Sequence, residues 1–557
     1  MSVASVNELR AVPDESPKEV RHKSYLEEGY SIWSWLFTVD HKRIGVLYLV
    51  TVFGFFLVGG IAAGLIRLNL LSPSGAILDN DTYNKVFTAH GVVMLFFFLI
   101  PSIPGILGNF FVPIMVGAKD MAFPKLNIAS WYVWMIGAAF AVWGLLIGGI
   151  DTGWTLYPPY STRSSSASVL PGALGVFISG FSSIMTGLNI IVTIHKMRAP
   201  GMTFGRLPLF IWAMYATSLI QLLGTPVVAM AVLLMIIERA TGLGIFDPTM
   251  GGDPVLFQHL FWFYSHPAVY IMILPGMGVI NEVITCFSRK NIFGYKAVAW
   301  SSVGIAVVGF LVWAHHMFVA GISYYAALLF SFLSMLVAVP SAIKMFNWTA
   351  TLYRGKITFE APMIFALGFM VLFTVGGLTG LYLATLGTDI HLHDTYFVVA
   401  HFHFVMVGGM VVGLLAGIHF YWPKMFGVMY SDFWSRFAAV LIIVGYALTF
   451  APQFYLGLHG MPRRYPNYPP EMRVFNVAST AGYFVQGVGF IMVATYLILS
   501  LINGKRAGRN PWKATGIEWA TESPPVLHNF EKTPVVVCGP YEYPLNVMQT
   551  GEKADVR

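Results

Sequence analysis

Twelve apolar stretches set the terms for this chain. They centre near residues 56, 98, 140, 182, 222, 270, 308, 333, 373, 408, 446 and 490. Crossing a bilayer core about 30 Å thick takes roughly 20 mostly apolar residues of helix. Lipid offers the backbone no hydrogen-bond partners, so such stretches have to be helical. The chain is 56% hydrophobic and only 11% charged, whereas soluble domains average about 25% charged residues. The expected fold class is an all-α polytopic membrane protein with twelve transmembrane helices.

Orientation follows from where Lys and Arg fall. The N-terminal tail holds Arg21, Lys23, Lys42 and Arg43, and every second connection after it is basic. The series runs through Lys119 and Lys125, Lys196 with Arg198 and Arg206, then Arg289, Lys290 and Lys296. It continues with Arg354 and Lys356, Lys424 and Arg436, and Lys505, Arg506 and Arg509. The alternate connections are poor in basic residues apart from Arg463, Arg464 and Arg473. Both termini are therefore expected in the cytoplasm, and the formal charge of +7 reflects topology, not nucleic-acid binding. The expected organisation is a cytoplasmic tail over 1–44, one helical domain over 45–504 and a cytoplasmic tail over 505–557. The first segment lacks an apolar core, so it is not a secretory signal. With Asp14, Glu15, Glu19, Glu27 and Glu28 it is also too acidic for an organelle presequence. Cys286 and Cys538 allow neither a disulfide framework nor a CxxC site.

Ionisable side chains inside membrane helices are costly and mark function by default. Here they are mostly histidines: His90, His266, His315, His316, His401 and His403. Any one alone is explained by helix-to-helix hydrogen bonding, but their spacing says more. His401 and His403 point about 200° apart on a helix, so one helix can serve two cofactors. His315 and His316 lie about 100° apart and can converge on one metal from a single helix. Imidazole suits copper, iron and zinc alike. His266 and Tyr270, four apart, share a helix face. The phenol can supply a proton and an electron beside a metal-bound imidazole or can simply cap a packing layer.

Four segments in this order, YSHPAVY, WAHHMF, HLHDTYFVVAHFHF and GMPRRYPNYP, resemble subunit I of the haem–copper oxidases. The likeness runs from about residue 30 to the end of the last helix, and the tail segment IEWATESPPVLHNFE is similar to the bacterial cytochrome c oxidase form. The resemblance implies a terminal oxidase that reduces O2 to water with proton uptake and pumping, placed in a bacterial inner membrane. It implies two haems, expected to be haem A, with one copper (CuB) facing the second haem. By that likeness His90 and His403 bind the low-spin haem, and His401 binds the high-spin haem. His266, His315 and His316 then hold the copper, with Tyr270 joined to the copper-ligating histidine. Arg463 and Arg464 would hold haem propionates, for which forked guanidinium donors are suited. Arg67 matches the arginine on the low-spin haem formyl group, although a snorkelling Arg explains it as well. Trp313 is expected beside the haems. His393 and Asp394 match a magnesium site completed by another subunit.

Proton routes follow the same likeness. Lys344, with Ser341 one turn before it, matches the K pathway leading to Tyr270; the alternative is a Lys snorkelling to the cytoplasmic side. Asp120 matches the mouth of the D pathway, and Asn109, Asn127, Ser182, Ser183 and Asn189 match its lining. That pathway usually ends at a Glu two residues after the first copper ligand, but this chain has Ala268 there. Tyr264 and Ser265 replace the usual Phe and Gly. Tyr264 lies four residues before Ala268, so its hydroxyl can reach the place of the missing carboxylate. This resembles the type A branch with a Tyr-Ser substitute.

Three rival readings differ from this one in sequence features. Quinol oxidases of the superfamily carry His and Gln where this chain has Thr82 and Lys85. Nitric oxide reductases use additional glutamates and lack the tyrosine of YSHPAVY. A secondary transporter would show inverted repeats around broken helices. The chain has no CxxxCxxxH copper-pair motif, so the first electron acceptor is expected on oxidase subunit II. Subunit III and other membrane subunits are further expected partners, with cytochrome c or a cytochrome domain of a respiratory supercomplex as donor.

Overall fold

The computed structural model describes residues 23–542, so Asp14, Glu15, Glu19 and Arg21 lie outside the described residues. Numbered in chain order, the membrane helices begin with α1 (His41–Asn69), α2 (Asn80–Val116), α3 (Pro124–Leu146), α4 (Val169–Lys196), α5 (Leu209–Thr241) and α6 (Pro254–Ser288). They continue with α7 (Tyr295–Gly309), α8 (Tyr324–Leu352), α9 (Ala361–Ala384), α10 (Tyr396–Phe426), α11 (Asp432–Leu458) and α12 (Pro470–Asn503). Among the described residues, eleven of these are long and apolar enough to cross a membrane.

The exception is α7. Its 15 residues span only about 22 Å. Beyond Gly309 the chain leaves the helix and makes a separate 3₁₀ turn over Trp313–Met317.

Local chemistry accounts for the breaks and ends. Asp40, Asp79 and Asp253 each precede a helix and accept from its first free N–H groups, as N-caps do. In α8, Pro340 cannot coexist with a regular bond to the carbonyl four residues back, at Leu336. The helix is interrupted at Val337, one turn before the proline. Pro101 and Pro104 similarly accompany π-helical turns in α2, at Val93–Leu99 and Pro104–Gly108. Helix α6 is buried without a break over Ile271–Ser288, and α8 is the most exposed of the spans. A side chain on the inner part of α6 therefore sits at the centre of the bundle.

The described part of the tail, residues 505–542, does not stand apart from the helices. It pairs Lys505–Arg506 antiparallel with Val428–Met429, then buries Trp512, Ile517, Glu518, Trp519, Asn529 and Tyr541 against the bundle. Lys424 donates to Thr521 O at 2.6 Å, Arg289 to Lys513 O at 2.9 Å and Arg206 to Val536 O at 3.1 Å. Tyr541 OH donates to Glu282 Oε1 at 2.5 Å. These contacts gather several basic connections at the end of the bundle where α1 begins. Burial raises the Glu518 carboxyl above its usual range.

Candidate metal and haem centre

Side chains from α6 and from the 3₁₀ turn after α7 meet at the bundle centre. His266, His315 and His316 offer ring nitrogens that all lie within 4.8 Å of one another. Metal–imidazole bonds of about 2 Å place nitrogens around one ion roughly 3.5–4 Å apart, close to this spacing. His266 Nδ1 is 3.2 Å from His316 Nε2. His315 Nδ1 is 2.8 Å from Ser334 Oγ, which leaves its Nε2 for a ligand. The His316 ring is stacked on Trp262 at 3.8 Å and 12°. The two adjacent histidines do not converge from an α-helix, as their spacing had suggested. They lie on a 3₁₀ turn, where successive residues are about 120° apart, and packing on Trp262 fixes the ring of the second.

Tyr270 stands where the i,i+4 argument puts it, with its hydroxyl 2.8 Å from His266 Nε2. That contact leaves Nδ1 of His266 facing the other imidazoles. Gly309 allows this placement: a Cβ there would come within 2.6 Å of the Tyr270 ring.

The other three histidines share one device. His90 Nδ1 lies 2.9 Å from Gly59 O, His403 Nδ1 2.8 Å from Val399 O, and His401 Nδ1 2.9 Å from Gly376 O. A carbonyl can only accept, so each Nδ1 carries the proton and each Nε2 is left as a base, the arrangement of a metal-binding imidazole. The rings of His90 and His403 are nearly parallel, 12° apart, with centroids 6.3 Å apart. A metal between two nitrogens at about 2 Å, with each centroid roughly 1 Å beyond its nitrogen, requires about 6 Å. The donors, the parallel rings and the separation fit a bis-histidine haem. His401 is seated against Gly380, whose Cβ would come within 2.9 Å of the imidazole.

Two arginines, Arg67 and Arg463, leave a buried donor unmet. Arg67 is buried and donates through Nη2 to Asn476 O at 2.9 Å, but its Nε has no protein partner. It is therefore not a snorkelling side chain. Arg463 pairs with Asp394, and its buried Nε is likewise unmet. Burial and the neighbouring Arg463 lower Arg464 to about 10. Burial opposes ionisation of Asp394, but Arg463 outweighs it and holds the carboxyl below its usual range. His393 Nε2 stands 3.9 Å from Asp394, while its Nδ1 lies 3.3 Å from Asp389. His393 and Asp394 supply two ligands at most. Trp313 donates to His259 Nδ1 at 3.2 Å and packs on Phe263 and Phe330.

Two polar features reach inward from the tail end. Lys344 is fully buried and donates to Val298 O at 3.0 Å and Ser302 Oγ at 2.7 Å. Its burial removes the snorkelling alternative, and the hydroxyl it meets is Ser302 on α7, not Ser341. Separately, a cavity of about 40 Å³ is lined by Tyr48, Ser182, Ser183, Gln221, Thr225 and Tyr264, among others. That is room for about three waters. Ser183 Oγ and Gln221 Oε1 have no protein partner, so the walls offer polar contacts.

Ser265 Oγ is also unmatched, and Ala268 is buried. Toward the tail end, Asn127 leaves both side-chain polar atoms unmatched and Asn109 its Oδ1. Asn189 instead holds the Phe123 backbone, with bonds of 2.9 and 3.1 Å. Asp120 accepts from Met121 N at 2.6 Å, and burial raises its carboxyl to about 7. Sequence reasoning missed Ser302, Gln221 and Thr225. The last two are polar residues one turn apart inside an apolar helix, a signal that was there to be read.

Fold and site together define a helical membrane protein built around clustered imidazoles. Its sequence matches the family Cytochrome C and Quinol oxidase polypeptide I over residues 43–485, and the chain belongs to that family. It is 44% identical over 534 residues to cytochrome c oxidase subunit 1 of Thermostichus vulcanus, covering 95% of this chain and 97% of that one. The protein of the same name from Synechocystis sp. is 45% identical over 513 residues, covering 92% and 93%. A solved heme-copper terminal oxidase dimer shares the fold, with a TM-score of 0.74 at 21% identity, covering 84% of this chain and 85% of that chain.

Proposed function

We propose that this chain is the catalytic subunit of a terminal respiratory oxidase that reduces O2 to water. The observation that carries the reading is the His266, His315 and His316 cluster with Tyr270 hydrogen-bonded to its first member. In this reading His90 and His403 hold a low-spin haem A, His401 a high-spin haem A, and the three-imidazole cluster one copper. When bound, the haems and copper would supply the redox chemistry of O2 reduction. The chain's own residues do the rest. Gly59, Val399 and Gly376 carbonyls orient the haem-binding imidazoles, Ser334 and Trp262 fix two copper-binding ones, and Tyr270 offers a proton and an electron at its hydroxyl.

Arg463, Arg464 and Arg67 would hold haem substituents, which accords with the unmet Nε atoms of Arg67 and Arg463. Trp313 packs nearby. His393 and Asp394 contribute to a magnesium site completed by another subunit. Lys344 hands protons toward Tyr270. Asp120 collects them for a second route past Asn109, Asn127 and Asn189 into the cavity of Ser182 and Ser183. Tyr264, with Ser265 beside it, ends that route in place of the missing Glu. Electrons come from cytochrome c through subunit II, subunit III completes the assembly, and the complex sits in a bacterial inner membrane with both tails in the cytoplasm.

A pyridine haemochrome spectrum with a copper count on the purified complex tests the reading. Two haem A and one copper assigned to this chain are expected, along with oxygen consumption driven by reduced cytochrome c. Absence of haem, or haem without oxygen consumption, would overturn it.

A further inference from the structure

The tail carries one asparagine whose side chain joins three separate segments. Asn529 is 1% exposed, and its φ of +67° lies in the left-handed region. Its Oδ1 accepts from Lys42 Nζ at 2.9 Å. Its Nδ2 donates to Ala118 O at 2.9 Å and Lys119 O at 3.2 Å. It also lies 2.9 Å from His41 Nε2. His41 Nδ1 is 2.7 Å from Asn109 O, so that nitrogen is the donor and Nε2 of the neutral ring accepts from Asn529. Lys42 is further held by Asp40 at 2.8 Å and by Leu527 O at 2.8 Å. One amide thus ties the first turn of α1 to the connection between α2 and α3, and through His41 to α2 itself.

The carbonyls it grips belong to the two residues immediately before Asp120. A buried amide with every polar atom engaged gives a unique geometry, and losing it leaves several groups unsatisfied at once. Among the described residues Asp120 has only a local bond, from the next backbone N–H, so its place is set by the turn that carries it.

We propose that Asn529 is a positioning residue, which from the tail clamps the Ala118–Lys119 turn onto α1 and so sets where Asp120 takes up protons. The proposal rests on the reading of Asp120 as the mouth of a proton route. The tail is then a working part of proton uptake. Its chemistry is recognition of backbone carbonyls and an ammonium group by one carboxamide.

The test uses the whole oxidase complex with Asn529→Gly, since glycine accepts the positive φ and removes only the side chain. Amide hydrogen exchange over 118–121, oxygen consumption and protons ejected per electron from vesicles are measured, with the haem spectrum as a check of assembly. Exchange at least tenfold faster, several-fold slower turnover and fewer ejected protons are expected. In an Asp120→Asn background Asn529→Gly should cause no further loss. Should the glycine variant fail to assemble, Asn529→Asp keeps the shape, loses the donors and is read the same way. Unchanged exchange would overturn the clamp. Faster exchange with parental turnover would overturn the link to Asp120, as would an equal added loss in the Asp120→Asn background. Parental turnover and pumping in Asp120→Asn alone would strike down the reading of Asp120, and this proposal with it.

Discussion

Lys344 on α8 donates a 2.7 Å hydrogen bond to Ser302 Oγ on α7, out of contact with solvent. Its other bond goes to Val298 O, one turn from Ser302, so the amine is held in a pocket of α7 oxygens. A buried amine of this kind can relay protons, and a thioether of similar volume cannot. Lys344→Met is expected to abolish nearly all oxygen consumption while the haem spectrum stays parental. Ser302→Ala removes one buried hydrogen bond, worth about 0.5–1.5 kcal/mol, and should cause a partial loss. Near-normal turnover of Lys344→Met with intact haems would mean that the amine is only a packing element.

Tyr264 lines the cavity shared with Ser182 and Ser183, while Ala268 offers no polar atom. Tyr264→Phe removes one hydroxyl and little volume, a change that packing tolerates well. Turnover and proton ejection should both fall, and Ala268→Glu in the same background should restore them in part. A phenylalanine variant that pumps like its parent would show the hydroxyl to be a bystander.

For the paired rings, His90→Ala should remove the low-spin haem alone. His90 and His403 face one another at 6.3 Å, whereas His401 is anchored separately on Gly376 O. The reduced low-spin absorption band is the readout, and its persistence unchanged would refute the pairing.

A fourth prediction follows from Asp120. Burial raises its carboxyl to about 7, so it is protonated and able to donate below that pH and becomes ionised above it. Oxygen consumption limited by this route should fall as pH rises through about 7. Asp120→Asn should lower the rate and flatten that step; a step of the same size in the variant would assign the titration to another group.

Much of the architecture was legible because its causes are local. Apolar length dictates helices in lipid, and eleven of the twelve expected crossings have the length and hydropathy to span. The pairing of His266 with Tyr270 was legible for the same reason: both lie on one turn of one helix, and α6 stays helical there despite Pro267. At the seventh stretch the two differ in extent: hydropathy continues through Phe310–Val312, whereas the helix ends at Gly309.

What the sequence determined by itself was the class of fold, the helices and the residue types that can bind metal. Only tertiary structure decided which of them meet. Lys344 chooses Ser302 over Ser341 because α7 packs against α8, a fact that no periodicity along α8 contains. Asn529 grips His41 from 488 residues away, and Ser183 shares a cavity with Tyr264 because α4, α5 and α6 leave a gap between them. Helical periodicity records which face a side chain occupies; the neighbour across that face is set by how the helices pack in three dimensions.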